Sequence, residues 1–409
     1  MNKVHTKCFA MAAACAMLLA VPASAQKNYG PGVSDSEIKI GQTMPFSGPA
    51  SAYAAYGIAE AAYFRMINDQ GGINGRKINL IAYDDGYNPA KTVEQTRKLV
   101  EGDGVLLIFG SLGTAPNAAV QKYLNDNKVP QLFVSTGATR FSDPAHFPWT
   151  MPIAASYQTE GRIYGHYILA NHPDAKIGIL YQNDDLGKDY VIGLKQVLGA
   201  KAASIVAEAT YETTEPTVDS QIVRLKSSGA DLFFNISTPK FAAQAIRKIA
   251  ELGWKPVQIL AYVSNSVGGV LKPAGFDASQ GIVSVNLIKD PDDPMWDNDP
   301  GMMKWRAFMD KYYPTGDKNS NFGTGGYGIA QVLEVVLRNC GDNLTRENVM
   351  KQAASMKDVQ GDLSLPGIMI NTSPTDYRVV KQLQMTRFKG ERWEGFGRSL
   401  PMITADETT

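Results

Sequence analysis

The sequence predicts an α/β protein: two doubly wound parallel-sheet lobes, joined by a multi-strand hinge, with a ligand in the cleft between them. Three observations predict it. Compact apolar runs alternate with amphipathic stretches, as buried strands alternate with surface helices. In the first half, four such runs end in polar, turn-forming loops: PFSGPASAY (45–53), YDDGYNP (83–89), FGSLGTAPN (109–117) and VSTGATR (134–140). The same β/α rhythm starts again after Pro152, without close sequence identity. In open α/β sheets such loops gather at the carboxyl ends of the strands, where ligands bind. The chain reads as built to hold a small molecule.

Taken in order, IKIGQTM (38–44) reads as the first strand and 57–70 as a helix, with Ile58, Ala62, Phe64 and Ile67 available for its buried side. GGINGRK (71–77) is a glycine-rich turn, and KINLIAYD (77–84) the next strand. Asn88-Pro89 opens a helix running to 101, with proline where its missing N–H is harmless. VLLIFG (105–110), a helix over 114–127 and QLFVS (131–135) complete the first series. The second comprises a helix over 157–171, KIGILYQ (176–182), a helix over 187–198 and SIVAEATY (204–211). It continues with a helix over 219–228, DLFFNI (231–236), a helix over 239–252 and QILAY (258–262).

The last third begins with GIVSVNLI (281–288) as a strand, then the polar loop 291–301. Helices follow over 302–312, 327–340 and 346–355, and 380–397 alternates like an antiparallel hairpin turning at Lys389-Gly390. The chain is expected to return to the first lobe near Gly281 and to give its final hairpin to the second. This divides it into an N-terminal lobe of 33–153 and 279–360 and a C-terminal lobe of 154–278 and 361–400. Several crossings between lobes suit a hinge.

At the N-terminus, Lys3 and Lys7, an apolar run over 8–21 and Ala23-Ser24-Ala25 make residues 1–25 a cleavable signal peptide. A lipid anchor on Cys15 is disfavoured, because the preceding alanines lack the leucine such sites show. No later run is apolar for long enough to span a bilayer. The mature protein is therefore expected to be periplasmic. Cys340 is then the single remaining thiol, so no internal disulfide is expected. The 40 basic and 40 acidic residues of the 409 are dispersed, which argues against nucleic acid or anionic membranes as partners. We expect a monomer.

The order of these loops, over nearly the whole mature chain, resembles the periplasmic solute-binding proteins of ABC importers, specifically the branched-chain amino acid (Leu/Ile/Val) receptor family. The parts that carry it are PFSGP after the first strand, GGINGRK, YDD after the second, the loop after the third, and S-T-G-A-T after the fourth. The resemblance implies that a ligand carboxylate is gripped by Leu112, Gly113 and Thr114 from one loop and Gly137, Ala138 and Thr139 from the other. It further implies that Tyr53 covers the solute from the first lobe, that Leu186 stands where relatives carry an aromatic, and that a membrane permease is the partner.

Independently, Gly113 and Thr114 fall at a helix N-terminus, where free N–H groups and the helix dipole favour an anion. On the residues alone, Thr114 serves equally as a simple N-cap, and Tyr53 as a packing residue. Amino-acid receptors of the family place an acid after a second-lobe strand, but LAYVSNSVG (260–268) has none. A buried ammonium without an acceptor is costly, so amine-free aromatic or aliphatic acids are expected unless Asp184 or Asp185 supplies the charge. Tyr262, Tyr53 and Tyr181 are candidate aromatic contacts. Arg140 reads as solvated rather than carboxylate-binding, and Asp84 and Asp85 as turn organisers rather than metal ligands.

There is no G-x-S-x-G elbow, no Walker-type phosphate loop, no H-E-x-x-H, and FGSLGTA is not a dinucleotide fingerprint. No cofactor is expected, and an α/β enzyme is a remote alternative. The expected function is capture of a small carboxylate-bearing apolar solute, or of a branched-chain amino acid, for a permease. A periplasmic sensory receptor remains the alternative.

Overall fold

The computed structural model describes residues 27–396. The expected signal peptide lies outside the described residues. The described residues start with β1 (Asn28–Tyr29), followed by β2 (Glu37–Met44), α1 (Ala54–Asp69), β3 (Lys77–Asp84), α2 (Pro89–Arg97), β4 (Ile108–Phe109), α3 (Thr114–Asp126), β5 (Gln131–Val134) and β6 (Thr150–Pro152). Strands β3-β2-β4-β5-β6 form a five-stranded, all-parallel sheet. All four residues of β5 are buried, as a strand covered by helices on both faces requires.

The second lobe continues through α4 (Tyr157–Asn171), β7 (Ile177–Gln182), α5 (Asp185–Leu198), β8 (Ile205–Tyr211), α6 (Asp219–Ser227), β9 (Leu232–Ile236), α7 (Pro239–Glu251) and β10 (Val257–Leu260). Two short helices, α8 (Lys272–Ala274) and α9 (Phe276–Ser279), lead to β11 (Val283–Asn286). After α10 (Pro300–Tyr312), α11 (Asn321–Cys340), β12 (Asn343–Leu344) and α12 (Arg346–Ala353), the described residues end in the hairpin β13 (Gln384–Lys389) and β14 (Arg392–Gly395). The second sheet runs β14-β13-β11-β10-β9-β7-β8, parallel except for the hairpin. The fold is thus the expected pair of parallel-sheet lobes.

One boundary differs. Strand β11 lies between β10 and β13, buried along its whole length, so the chain leaves the second lobe after Asn286 rather than near Gly281. The next helices do pack on the first lobe: Tyr63 of α1 meets Tyr327 of α11 edge-on at 5.1 Å, and Arg346 donates to the Leu106 and Val105 carbonyls at 2.9 Å. Helix α11 also starts earlier than its sequence suggests. Glycines at 323, 325, 326 and 328 weaken its helical signal, but the Ser320 hydroxyl caps it by accepting from the Gly323 N–H.

Helices α4 and α5 approach unusually closely through glycine. A Cβ at Gly193 would lie 2.1 Å from the Gln158 carbonyl oxygen, and one at Gly161 2.4 Å from that of Tyr190. Backbone cannot yield cheaply there. Overpacking of about 3 kcal/mol should outweigh the roughly 1 kcal/mol that alanine adds in helix propensity. Gly193→Ala is therefore expected to lower unfolding stability by about 2 kcal/mol, read as an earlier urea midpoint at unchanged slope.

Candidate functional site

A cavity of about 140 Å³ lies between the lobes, at the carboxyl ends of both sheets. Its polar corner is built at the start of α3. Gly113 is the N-cap residue at φ 110°, and the Asn117 side chain ties the loop by donating to the carbonyls of Ser111 and Gly113. Thr114 is the first helical residue, and its hydroxyl makes no cap bond. Instead Thr114 Oγ1 lies 2.7 Å from Thr136 Oγ1, and Thr136 hydrogen-bonds the Tyr157 hydroxyl at 3.3 Å. These three hydroxyls stand beside a helix N-terminus whose first N–H groups lack intrahelical partners. The arrangement suits an oxyanion.

Apolar and aromatic walls make up most of the rest. Tyr53 stacks at a tilt against Phe322 of α11, with ring centres 5.0 Å apart, and its hydroxyl crosses to the second lobe to donate to the Val263 carbonyl at 2.8 Å. Tyr87, Leu112 and Tyr56 add first-lobe surface, while Leu186, Tyr262 and Val263 add second-lobe surface. Burial pushes the phenols of Tyr53, Tyr87 and Tyr262 up and Tyr157 to about 12, so all are neutral hydrogen-bonding groups.

Glu160 is the single ionisable acid or base, tyrosines aside, in the described lining. Its Oε1 accepts from the Tyr262 N–H at 2.8 Å and the Tyr164 hydroxyl at 2.9 Å, and its Oε2 from Tyr190 at 2.6 Å. Burial lifts its carboxyl, and these donors only partly offset that, leaving it at about 7.

Of the residues expected from the sequence, Tyr53, Leu112, Gly113, Thr114, Leu186 and Tyr262 line the cavity. Gly137, Ala138 and Thr139 do not. The backbone at Gly137 abuts the second lobe, where a Cβ would lie 2.0 Å from the Ala155 carbonyl oxygen, and Ala138 is fully buried. The Thr139 N–H already has an anionic acceptor, Asp189 of α5, at 2.6 Å. Ser135 and Thr136, a few residues earlier, face the cavity in their place.

Neither alternative amine acceptor is available. Asp184 caps α5 through the Leu186 N–H and accepts from Gln182 at 2.7 Å, and burial lifts it to about 6. Asp185 pairs with Arg140 across the lobes at 3.2 Å. Tyr181 is outside the lining. Asp84 accepts from the Ser47 hydroxyl and from the Gly86 and Ser47 N–H groups, and with Lys91 these hold it at about 2, while Asp85 accepts from the Tyr87 N–H.

Glu160 and Thr136 escape a motif reading. A signal for Glu160 exists, because Tyr157, Glu160 and Tyr164 share one face of α4 at i, i+3 and i+7, which places an acid on an apolar face.

A model of the periplasmic binding protein family matches residues 37–392. The Leu/Ile/Val-binding protein homolog 1 of Brucella abortus (strain 2308) is 24% identical over 344 residues, covering 80% of this chain and 86% of the relative. Among solved structures, a substrate-binding periplasmic protein from Ralstonia solanacearum superposes with a TM-score of 0.77 at 25% identity, covering 86% of this chain and 97% of that one. A branched chain amino acid ABC transporter protein from Thermus thermophilus with bound valine gives 0.81 at 17% identity (91% and 98% covered). A fatty acid ABC transporter substrate-binding protein from Thermomonospora curvata gives 0.74 at 21% (91% and 96%). Two parallel-sheet lobes meeting over an internal cavity define a two-lobed binding protein. The chain belongs to the periplasmic binding protein family.

Proposed function

We propose that this protein captures a small amine-free carboxylate with an apolar body between its lobes and delivers it to the permease of an ABC importer. The observation that carries the reading is the occupied state of Glu160. Three donors already use its oxygens, burial lifts its carboxyl to about 7, and no other carboxylate lines the cavity among the described residues. A ligand ammonium would lack a dedicated anionic partner, whereas a ligand carboxylate meets Thr114, Thr136 and the start of α3.

Closure needs no chemistry, since a solute touching both lobes stabilises the closed form by its differential affinity. The similar folds of a branched chain amino acid ABC transporter protein with bound valine and of a fatty acid ABC transporter substrate-binding protein support a solute-delivery role. In this reading the protein is exported with cleavage of residues 1–25 and acts as a monomer.

The test is a thermal-shift panel on protein unfolded and refolded to strip carried-over solute. A ligand at about a thousand times its Kd adds roughly 4 kcal/mol. Stabilisation by amine-free aromatic or aliphatic acids, and none by leucine or valine, is the expected result. Stabilisation by leucine or valine would overturn the amine-free assignment.

A further inference from the structure

We infer that the cavity takes a carboxylate with an extended apolar tail, an unbranched aliphatic acid, and that Gly328 of α11 sets the length of tail admitted; this rests on the carboxylate reading above. One face of α11 runs along the cavity, through Thr324 and Gly325, then Gly328 and Ile329, then Val332. At 1.5 Å per residue, Thr324 to Val332 spans about 12 Å. That is more than three times the reach of one extended residue, at roughly 3.5 Å.

The far end is closed by the segment that crosses between the lobes. Gln331 donates to the Asp362 carboxylate at 2.7 Å and accepts from the Asp362 N–H at 3.1 Å, fixing that segment at the level of Val332. Its Leu363, Ile370 and Val380 line the cavity there with Ser364 as the one polar side chain of the segment, and the segment adds no charged side chain. The cavity is thus lined by hydroxyls and a helix start beside Thr114 and mainly by aliphatic side chains at its far end.

The glycines of α11 are not equivalent. A Cβ at Gly325 would strike the Tyr56 ring at 2.4 Å, and one at Gly326 the Tyr56 carbonyl oxygen at 2.3 Å, so both permit close packing on α1. A Cβ at Gly328 would meet nothing within 4 Å. Glycine inside a helix is destabilising, and packing gives no reason for it here. What Gly328 does is leave the middle of the cavity wall open.

The test is calorimetric titration of refolded full-length mature protein with butanoate, hexanoate, octanoate and decanoate. Affinity is expected to rise about fourfold per methylene, from about 0.8 kcal/mol per buried CH₂, until the tail reaches Val332. Gly328→Leu should move the best chain length to a shorter acid, with octanoate weakened at least tenfold relative to butanoate. Gly328→Ala, which strengthens the helix, should shift it the same way by less. Short acids binding with no gain from length would overturn the tail site while leaving the carboxylate reading intact. A length profile in both variants identical to that of the unmodified protein would overturn the role of Gly328. Failure of every acid to bind would overturn the carboxylate reading and this inference with it.

Discussion

Affinity for a carboxylate solute is expected to fall as the pH rises through about 7, by up to tenfold per pH unit, and Glu160→Gln is expected to abolish that fall. Glu160 is neutral below this range because burial disfavours its charge more than its three donors favour it. Above it, an ionised Glu160 shares the cavity with the anionic ligand. Like charges repel by about 4 kcal/mol at about 4 Å and an effective dielectric of about 20, and by less at greater separation. An amino acid carries an ammonium group as well as a carboxylate, so attraction to an ionised Glu160 offsets the repulsion and the fall should be absent or reversed; titrations on either side of this pKa therefore separate the two ligand classes.

The ligand-free protein should carry the same signature in its stability. The folded-state value, about 7, lies above the ordinary 4.5, so the unfolded chain releases this proton first as the pH rises. The contribution is complete below about 4.5 and is lost by about 7, some 3 kcal/mol in all. Asp184, lifted from 3.8 to about 6, adds a decline of the same sign at lower pH. Buried Glu60, also raised well above 4.5, and Asp292, at about 6, decline over the same range, so the share of Glu160 is read as the difference in denaturant midpoints between the unmodified protein and Glu160→Gln.

Thr114→Val should weaken binding of any carboxylate by about ten- to a hundredfold, the range set by losing a hydrogen bond to a charged group, roughly 1.5 to 3 kcal/mol. Valine matches threonine in shape. Thr136 keeps its bonds to Tyr157 and to the Ala138 N–H, so the fold should lose no more than about 1 kcal/mol. Calorimetry on the variant, paired with its melting temperature, separates the two effects. Unchanged affinity would place the anion elsewhere.

Much of this architecture was legible because its central strands are short apolar runs between strong turn signals. Helix 157–171 is found at the bounds its pattern implied, and α2, α3, α6 and α7 start where expected. What the pattern could not show is which sheet a strand joins. GIVSVNLI reads the same in either lobe, and its place between β10 and β13 depends on long-range pairing. The cavity divides in the same way. Leu112, Gly113 and Thr114 follow from a helix start after a strand, which is local geometry. The displacement from Thr139 to Thr136 arises because Asp189, distant in sequence, takes the Thr139 N–H. Glu160 was hidden because an acid in an amphipathic helix ordinarily faces water.

The interleaving of the two lobes has a consequence for how the molecule acquires its structure. The first sheet is complete by Pro152, but its covering helices α10 to α12 come from beyond residue 299, and the opening strand β1 finds its partner only at Asn343–Leu344. The second sheet waits longer still, for β13 and β14 at the very end of the described chain. A chain emerging from its N-terminus cannot finish one lobe and then begin the other. Both mature together once the final hairpin is available, and loop closures over such separations make that step slow.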